Sequence, residues 1–151
     1  MTAERQRFRA RADALPRVCA FVERRCRELG AGRQATLRLI LVAEELFINT
    51  VVHGYGGDSR RQVALAVRDS GAEIELIAED GARAFDPFER IPQPVAVADP
   101  RDAALGGLGR ALVAGVSSRH SYERRGRSNR VTVAVLKHRL RSIGPARSGK
   151  K

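Results

Sequence analysis

Residues 44–53 read EELFINTVVH and place Glu45, Asn49 and His53 four apart. At about 100° per residue, a helix carries Asn49 roughly 40° and His53 roughly 80° from Glu45, so the three make one stripe. Leu41, Val42, Ile48 and Val52 border it, while Ile40, Phe47 and Val51 occupy the far side, which describes a helix apolar nearly all round. Polar groups in such a setting need partners, because a buried carboxylate without them is costly. A self-contained polar network or a solvent-facing groove would supply them. A ligand would as well: Glu45 could then act as a base, and Asn49 could give a neutral oxygen to a hard cation such as Mg²⁺.

Two further stretches have chemical potential. In EDGARAFDPFER, Asp80 closes an apolar alternation and Gly81 follows at once. A carboxylate at such a strand end can accept a hydrogen bond from an amino group, the exocyclic amine of adenine included, although Asp-Gly is also an ordinary turn signal. In GGLGRALV, Gly106, Gly107 and Gly109 leave the backbone bare where a helix begins. Free N–H groups and the positive end of the helix dipole suit a phosphate there; a flexible loop feeding a helix has the same composition.

The elements that must position these residues are legible. A short edge strand is expected at 6–11, and a helix over 13–29 with Leu15, Val18, Cys19, Val22, Cys26 and Leu29 on one face and Gly30 as its C-terminal stop. A second helix is expected over 33–53. RQVALAVRD and AEIELIAED alternate and are joined by a short hairpin turn, as are SRHSYERR and SNRVTVAVLKH around Gly126. A third helix begins at the glycine cluster. Hairpin strands with one apolar face need helices to cover it, which gives an α+β two-layer sandwich with a mostly antiparallel sheet.

Length and composition bound the rest. One domain is expected from 151 residues, 43% of them hydrophobic. No apolar run reaches a membrane span, and the first residues lack the apolar centre of a signal peptide, so a soluble cytoplasmic protein is expected. Cys19 and Cys26 lie seven apart on one helix, about 10 Å along its axis, which is too far for a disulfide and too few ligands for zinc. The net charge of +11 is uneven: +4 over 1–30, +1 over 31–136 and +6 over 137–151. The basic end, 139–151, has the composition of a disordered tail. It invites a nucleic-acid reading, but no aromatic platform or zinc-finger spacing accompanies it, and direct nucleic-acid binding is not the reading preferred.

EELFINTVVHGYG, EDGARAFDP, GGLGRALV and YERRGRSNRVTVAV resemble, in order and spacing over residues 8–137, the ATP-binding boxes of the anti-sigma-factor serine kinases. These small bacterial switch proteins share a superfamily with histidine-kinase catalytic domains, gyrase B, Hsp90 and the mismatch-repair ATPases. The resemblance implies a Bergerat-type ATP-binding fold over 1–138. It implies that Asn49 binds Mg²⁺ bridging the ATP phosphates, that Glu45 is the general base, and that Asp80 holds the adenine amino group. Gly106, Gly107, Leu108 and Gly109 would lie at the phosphates under a lid drawn from 90–105. It further implies phosphorylation of a serine on a STAS-domain anti-sigma-factor antagonist, sequestration of a sigma factor, and a homodimer. The sequence departs from the family in two places. Ala82 stands where the adenine box usually ends in glycine, and Leu105 stands where some relatives carry a phosphate-reaching arginine, which Arg101 or Arg110 could replace. Both departures leave open a non-catalytic, nucleotide-gated binding module.

Overall fold

The computed structural model describes residues 3–89 and 107–138. Its elements in chain order are β1 (Glu4–Arg9), α1 (Leu15–Glu28) entered through a single 3-10 turn at Ala12–Ala14, α2 (Arg33–Asn49), β2 (Gln62–Asp69), β3 (Glu73–Asp80), α3 (Gly107–Val116), β4 (Arg119–Arg125) and β5 (Ser128–Leu136). The expected lid at 90–105, with Arg101 and Leu105, lies outside the described residues, as do Gly106 and the basic end at 139–151.

The five strands form one fully antiparallel sheet in the order β1-β2-β3-β5-β4. Period-2 alternation sends Val63, Leu65 and Val67 of β2, Ile74, Leu76 and Ala78 of β3, and Val131, Val133 and Val135 of β5 to the same inner face, all buried. Against them pack Val18, Phe21, Val22 and Cys26 of α1 and Leu39, Val42, Ala43, Leu46 and Phe47 of α2. Phe8 of the edge strand β1 locks the two helices to the sheet, with edge-on contacts to Phe21 (5.8 Å between centroids) and Phe47 (6.5 Å). This is the expected α+β two-layer sandwich.

α1 ends as its sequence dictates. Gly30 takes a left-handed φ of 72°, its N–H donates to the Arg27 carbonyl (3.1 Å) and the Ala31 N–H to the Cys26 carbonyl (2.9 Å), closing the last turn in a Schellman motif. Both cysteines are free, as their spacing requires. Burial pushes both thiols up to about 11, and on Cys19 a hydrogen bond to Glu44 at 3.4 Å adds to this.

α2 differs from expectation at both its surface and its end. Leu37 is 56% exposed and Val52 46%, so the helix is not apolar-packed all round: one flank of the predicted stripe lies open. The α-helical repeat stops at Asn49, and Thr50–Gly54 form a π-turn in which the Tyr55 N–H donates to the Thr50 carbonyl five residues back (2.9 Å). A wheel drawn at 100° fails past that point, and His53 is exposed rather than lining the stripe with Glu45 and Asn49. No helix among the described residues is long and apolar enough to cross a membrane.

Candidate functional site

Asp80 ends β3 directly opposite Asn129 of β5 and Val63 of β2, and it points to the inner face near the end of α2. The turn after it is held from three sides. The Ala82 N–H donates to Asp80 Oδ1 (2.9 Å), the Gly81 N–H to the Tyr55 hydroxyl (2.9 Å), and Arg61 Nη2 to the Gly81 carbonyl (2.9 Å) while lying over the Tyr55 ring. The π-turn at the end of α2 then delivers Thr50 and Gly54 to the same place. The Thr50 hydroxyl lies 3.4 Å from Asp80 Oδ2, and a Cβ on Gly54 would stand 3.0 Å from that of Ala82. Ala82, the departure from the family pattern, is therefore accommodated by the missing side chain at Gly54; it is buried and its backbone still engages Asp80.

These residues wall a cavity lined by Leu46, Asn49, Thr50, Asp80, Phe85 and Asn129 among others. Its free volume is about 30 Å³, room for roughly one water molecule, where small-molecule sites usually offer several hundred. Phe85 and Pro87, from the segment leaving β3, form part of its wall, so a purine would enter only as that segment moved outward.

Glu45 and Asn49 lie one turn apart on α2, both half-buried, and among the described residues neither side chain has a hydrogen-bond partner. Burial, and then the charge of Glu44, push the Glu45 carboxyl above its ordinary range. The start of α3 sits directly on this carboxylate: a Cβ added to Gly109 would come within 2.6 Å of Glu45 Cδ, so only glycine lets the two elements meet. Gly107 and Leu108 form the first turn of the same helix. The structure thus brings Glu45 together with Gly109, and Asn49 together with Asp80, within a single end of the sandwich. His53 stays outside it.

Asn129 is the residue that sequence reasoning missed. It is 4% exposed, and both ends of its amide are engaged. Nδ2 donates to Asp80 Oδ1 (2.9 Å), to the Arg83 carbonyl (2.9 Å) and more weakly to the Ala82 carbonyl (3.3 Å). Oδ1 accepts from the Tyr122 hydroxyl (2.7 Å), Arg124 Nη1 (3.0 Å) and the Phe85 N–H (3.4 Å). Three acceptors on one side and three donors on the other fix the amide's orientation, since a flip would set oxygen against oxygen. The signal for it was present: Asn129 shares its strand face with Val131, Val133 and Val135, a polar residue at an inward position.

Residues 8–135 match the model of the histidine kinase-like ATPase domain. The chain belongs to that family. Similar solved structures include the SiaB–SiaC complex from Pseudomonas aeruginosa, at 14% identity and a TM-score of 0.62 over 87% of this chain and 88% of that one. The catalytic domain of the histidine kinase ThkA is similar at 12% identity and a TM-score of 0.50, over 89% and 96% of the two chains. At these identities the likeness is one of fold. No curated protein matches in sequence.

Proposed function

We propose that this histidine kinase-like ATPase domain is a protein-serine kinase that transfers the γ-phosphate of ATP to a partner protein. The observation that carries the reading is Glu45: a half-buried carboxylate without a hydrogen-bond partner among the described residues, held against the bare backbone at the start of α3, one helical turn from an equally unengaged Asn49. Asp80 would accept the adenine amino group, and the first turn of α3, Gly107 to Gly109, would face the phosphates with its free N–H groups. Asn49 is suited to hold Mg²⁺, which commonly takes one or two protein oxygens and completes its shell with phosphates and water; the ion would neutralise phosphate charge. A serine hydroxyl oxygen then forms a bond to the γ-phosphorus as the bond from that phosphorus to the β–γ bridging oxygen breaks, ADP departs with the electron pair, and Glu45 takes the hydroxyl proton. Such transfer asks mainly for positioning and a placed base.

A protein acceptor suits the surroundings. Leu37 of α2, Val52 of the π-turn that follows it, and Leu112 of α3 are three of the four most exposed large hydrophobic side chains among the described residues, and they sit on or directly after the two helices that carry Glu45 and Gly109. The SiaB–SiaC structure is of a protein complex, and it supports a protein partner here. By resemblance to the anti-sigma-factor kinases, we assign the acceptor to a STAS-domain antagonist, a second binding role toward a sigma factor, a homodimeric state and a cytoplasmic location.

The direct test mixes the chain with Mg·ATP and a STAS-fold protein encoded beside it and weighs the acceptor. Gain of one phosphate, lost with Glu45→Gln, is expected. Ala82 and Leu105, the two departures from the family pattern, favour one competitor, a nucleotide-gated module that binds its partner without chemistry; it would show ATP-dependent affinity for the STAS protein and no added mass.

A further inference from the structure

We propose that the free edge of β1 is a docking site for an extended acidic segment of a partner protein, which adds to the sheet as a further strand and sets alternate carboxylates against Arg5, Arg7 and Arg9. β1 ends the sheet order and pairs only with β2. Just beyond it the Ala10 N–H donates to the Arg61 carbonyl (2.8 Å) and the Ala10 carbonyl accepts from the Ser59 N–H (2.9 Å), so the main chain of Ala10 faces the β2 side. Backbone groups alternate from edge to edge along a strand. Those of Phe8, Gln6 and Glu4 therefore also face β2, and those of Arg5, Arg7 and Arg9 face away. The Arg9 carbonyl takes the Arg11 N–H (2.8 Å), which closes one end of this edge. The N–H groups of Arg5, Arg7 and Arg9 and the carbonyls of Arg5 and Arg7 have no strand beside them among the described residues.

The same three residues carry charge that the chain leaves unmatched. Side chains alternate from face to face, and because Phe8 enters the core, Arg5, Arg7 and Arg9 lie on the outer face, exposed and about 7 Å apart. Ala66 and Ala64 stand opposite Arg5 and Arg7 on β2 and offer no counter-charge. Arg5 reaches only a distant Glu79 carboxylate (3.7 Å), and Arg7 and Arg9 have no ion-pair partner among the described residues. The opposite edge strand is different: on β4, Arg119 is held by Glu73 and Glu75, and Arg125 by Glu123. Unmatched charge thus coincides with an unpaired edge on β1 alone. A partner strand has the same repeat, so an acid at every second residue meets each arginine while its main chain extends the ladder. A recess of about 200 Å³, lined by Arg5, Arg7, Ala64 and Glu79 among others, gives the incoming side chains room. A second copy fits poorly, because antiparallel pairing of two β1 strands sets arginine against arginine. Nucleic acid would meet the charges but brings no peptide groups to the edge, and β1 and β2 place no aromatic side chain on this face for bases to stack on.

The probe is a terminally blocked peptide in which glutamate and threonine alternate, titrated against the full chain and followed by amide hydrogen exchange. It should bind and slow exchange of the Arg5 and Arg7 N–H groups, and Arg7→Glu, an exposed change that breaks no ion pair, should weaken binding by about tenfold or more. A docked strand uses one set of its alternate N–H groups and turns the other away. Binding should therefore survive N-methylation of one set and be lost on methylation of the other. Absence of binding, or binding that survives both methylated peptides, overturns the proposal. So does an oligothymidylate that binds more tightly than the peptide and is released by Arg7→Glu, or a dimer that Arg7→Glu disperses. None of these outcomes bears on the proposed kinase chemistry, which rests on other residues.

Discussion

Glu45 carries a carboxyl that burial, and then the neighbouring charge of Glu44, lifts above the usual carboxylate range. In the proposed role of base it must be ionised, so phosphate transfer should fall as pH is lowered, with the decline beginning above the pH at which an ordinary carboxylate protonates. The effect on stability has the opposite sign. A folded-state value above the unfolded one means the folded chain binds the proton more readily, so lowering pH through that window stabilises the fold and raising it costs stability. Glu45→Gln should therefore reduce transfer by about 100-fold or more, the usual worth of a general base, while raising the thermal midpoint at neutral pH. A variant that lost both activity and stability would count against the assignment. Glu45, Asn49 and Asp80 were legible in the sequence because each breaks a simple period, helical for the first two and alternating for the third. Asn129 breaks the period of β5 in the same way, but the alternation there read as core alone, and its partners outside the β4–β5 hairpin come from 44 to 49 residues away.

Between elements, the contact of α3 with α2 rests on Gly109. Gly109→Ala would set a methyl group into the Glu45 carboxylate and should cost transfer about 100-fold or more by displacing the base, even though alanine favours the helix by up to about 1 kcal/mol. Gly115→Ala, on the same helix with nothing within 4 Å of the added Cβ, should stabilise by about 0.5–1 kcal/mol and leave transfer unchanged. Thermal melts and transfer rates of the pair measure both statements. Helices and strands were placed by periodicity to within a few residues, with β1 starting at Glu4 rather than residue 6 and α1 preceded by a 3-10 turn. The π-turn at Thr50 was not legible, because nothing in TVVHG distinguishes a wider turn from a continued helix; its tertiary partners are remote in sequence, Thr50 meeting Asp80 and Tyr55 meeting Gly81. The wheel consequently carried His53 onto a face it does not share.

At the scale of the molecule, the sheet has a face that no helix among the described residues covers, and charge pairing closes it. Arg5 and Arg130 reach Glu79 (3.7 and 3.5 Å), and Arg68 (2.5 Å) and Arg119 hold Glu75, which is only 2% exposed at the centre of β3. Burial pulls the Glu75 carboxyl up, but the hydrogen bonds from Arg119 and Arg68 outweigh it and hold the group below its ordinary range. Its contribution is thus present above the unfolded value and lost as pH falls through the folded one. Glu75→Gln should cost about 1–2 kcal/mol at neutral pH, less than a fully buried pair because both guanidinium groups are half exposed, and should flatten acid denaturation. The two-layer architecture follows from hairpin alternation and was legible; the tightness of the cavity was not, since it depends on how Phe85 and Pro87 fold back from β3. In the proposed function, α2, the end of β3 and the start of α3 converge on one ATP·Mg²⁺ site. Calorimetric titration with ATP, with and without Mg²⁺, measures this most directly. The wild-type chain should bind Mg·ATP, Asp80→Ala should weaken binding by about 10- to 100-fold, the worth of a hydrogen bond to a charged group, and Asn49→Ala should remove the dependence on Mg²⁺. Wild-type affinity in Asp80→Ala, or no binding by the wild-type chain, would contradict it.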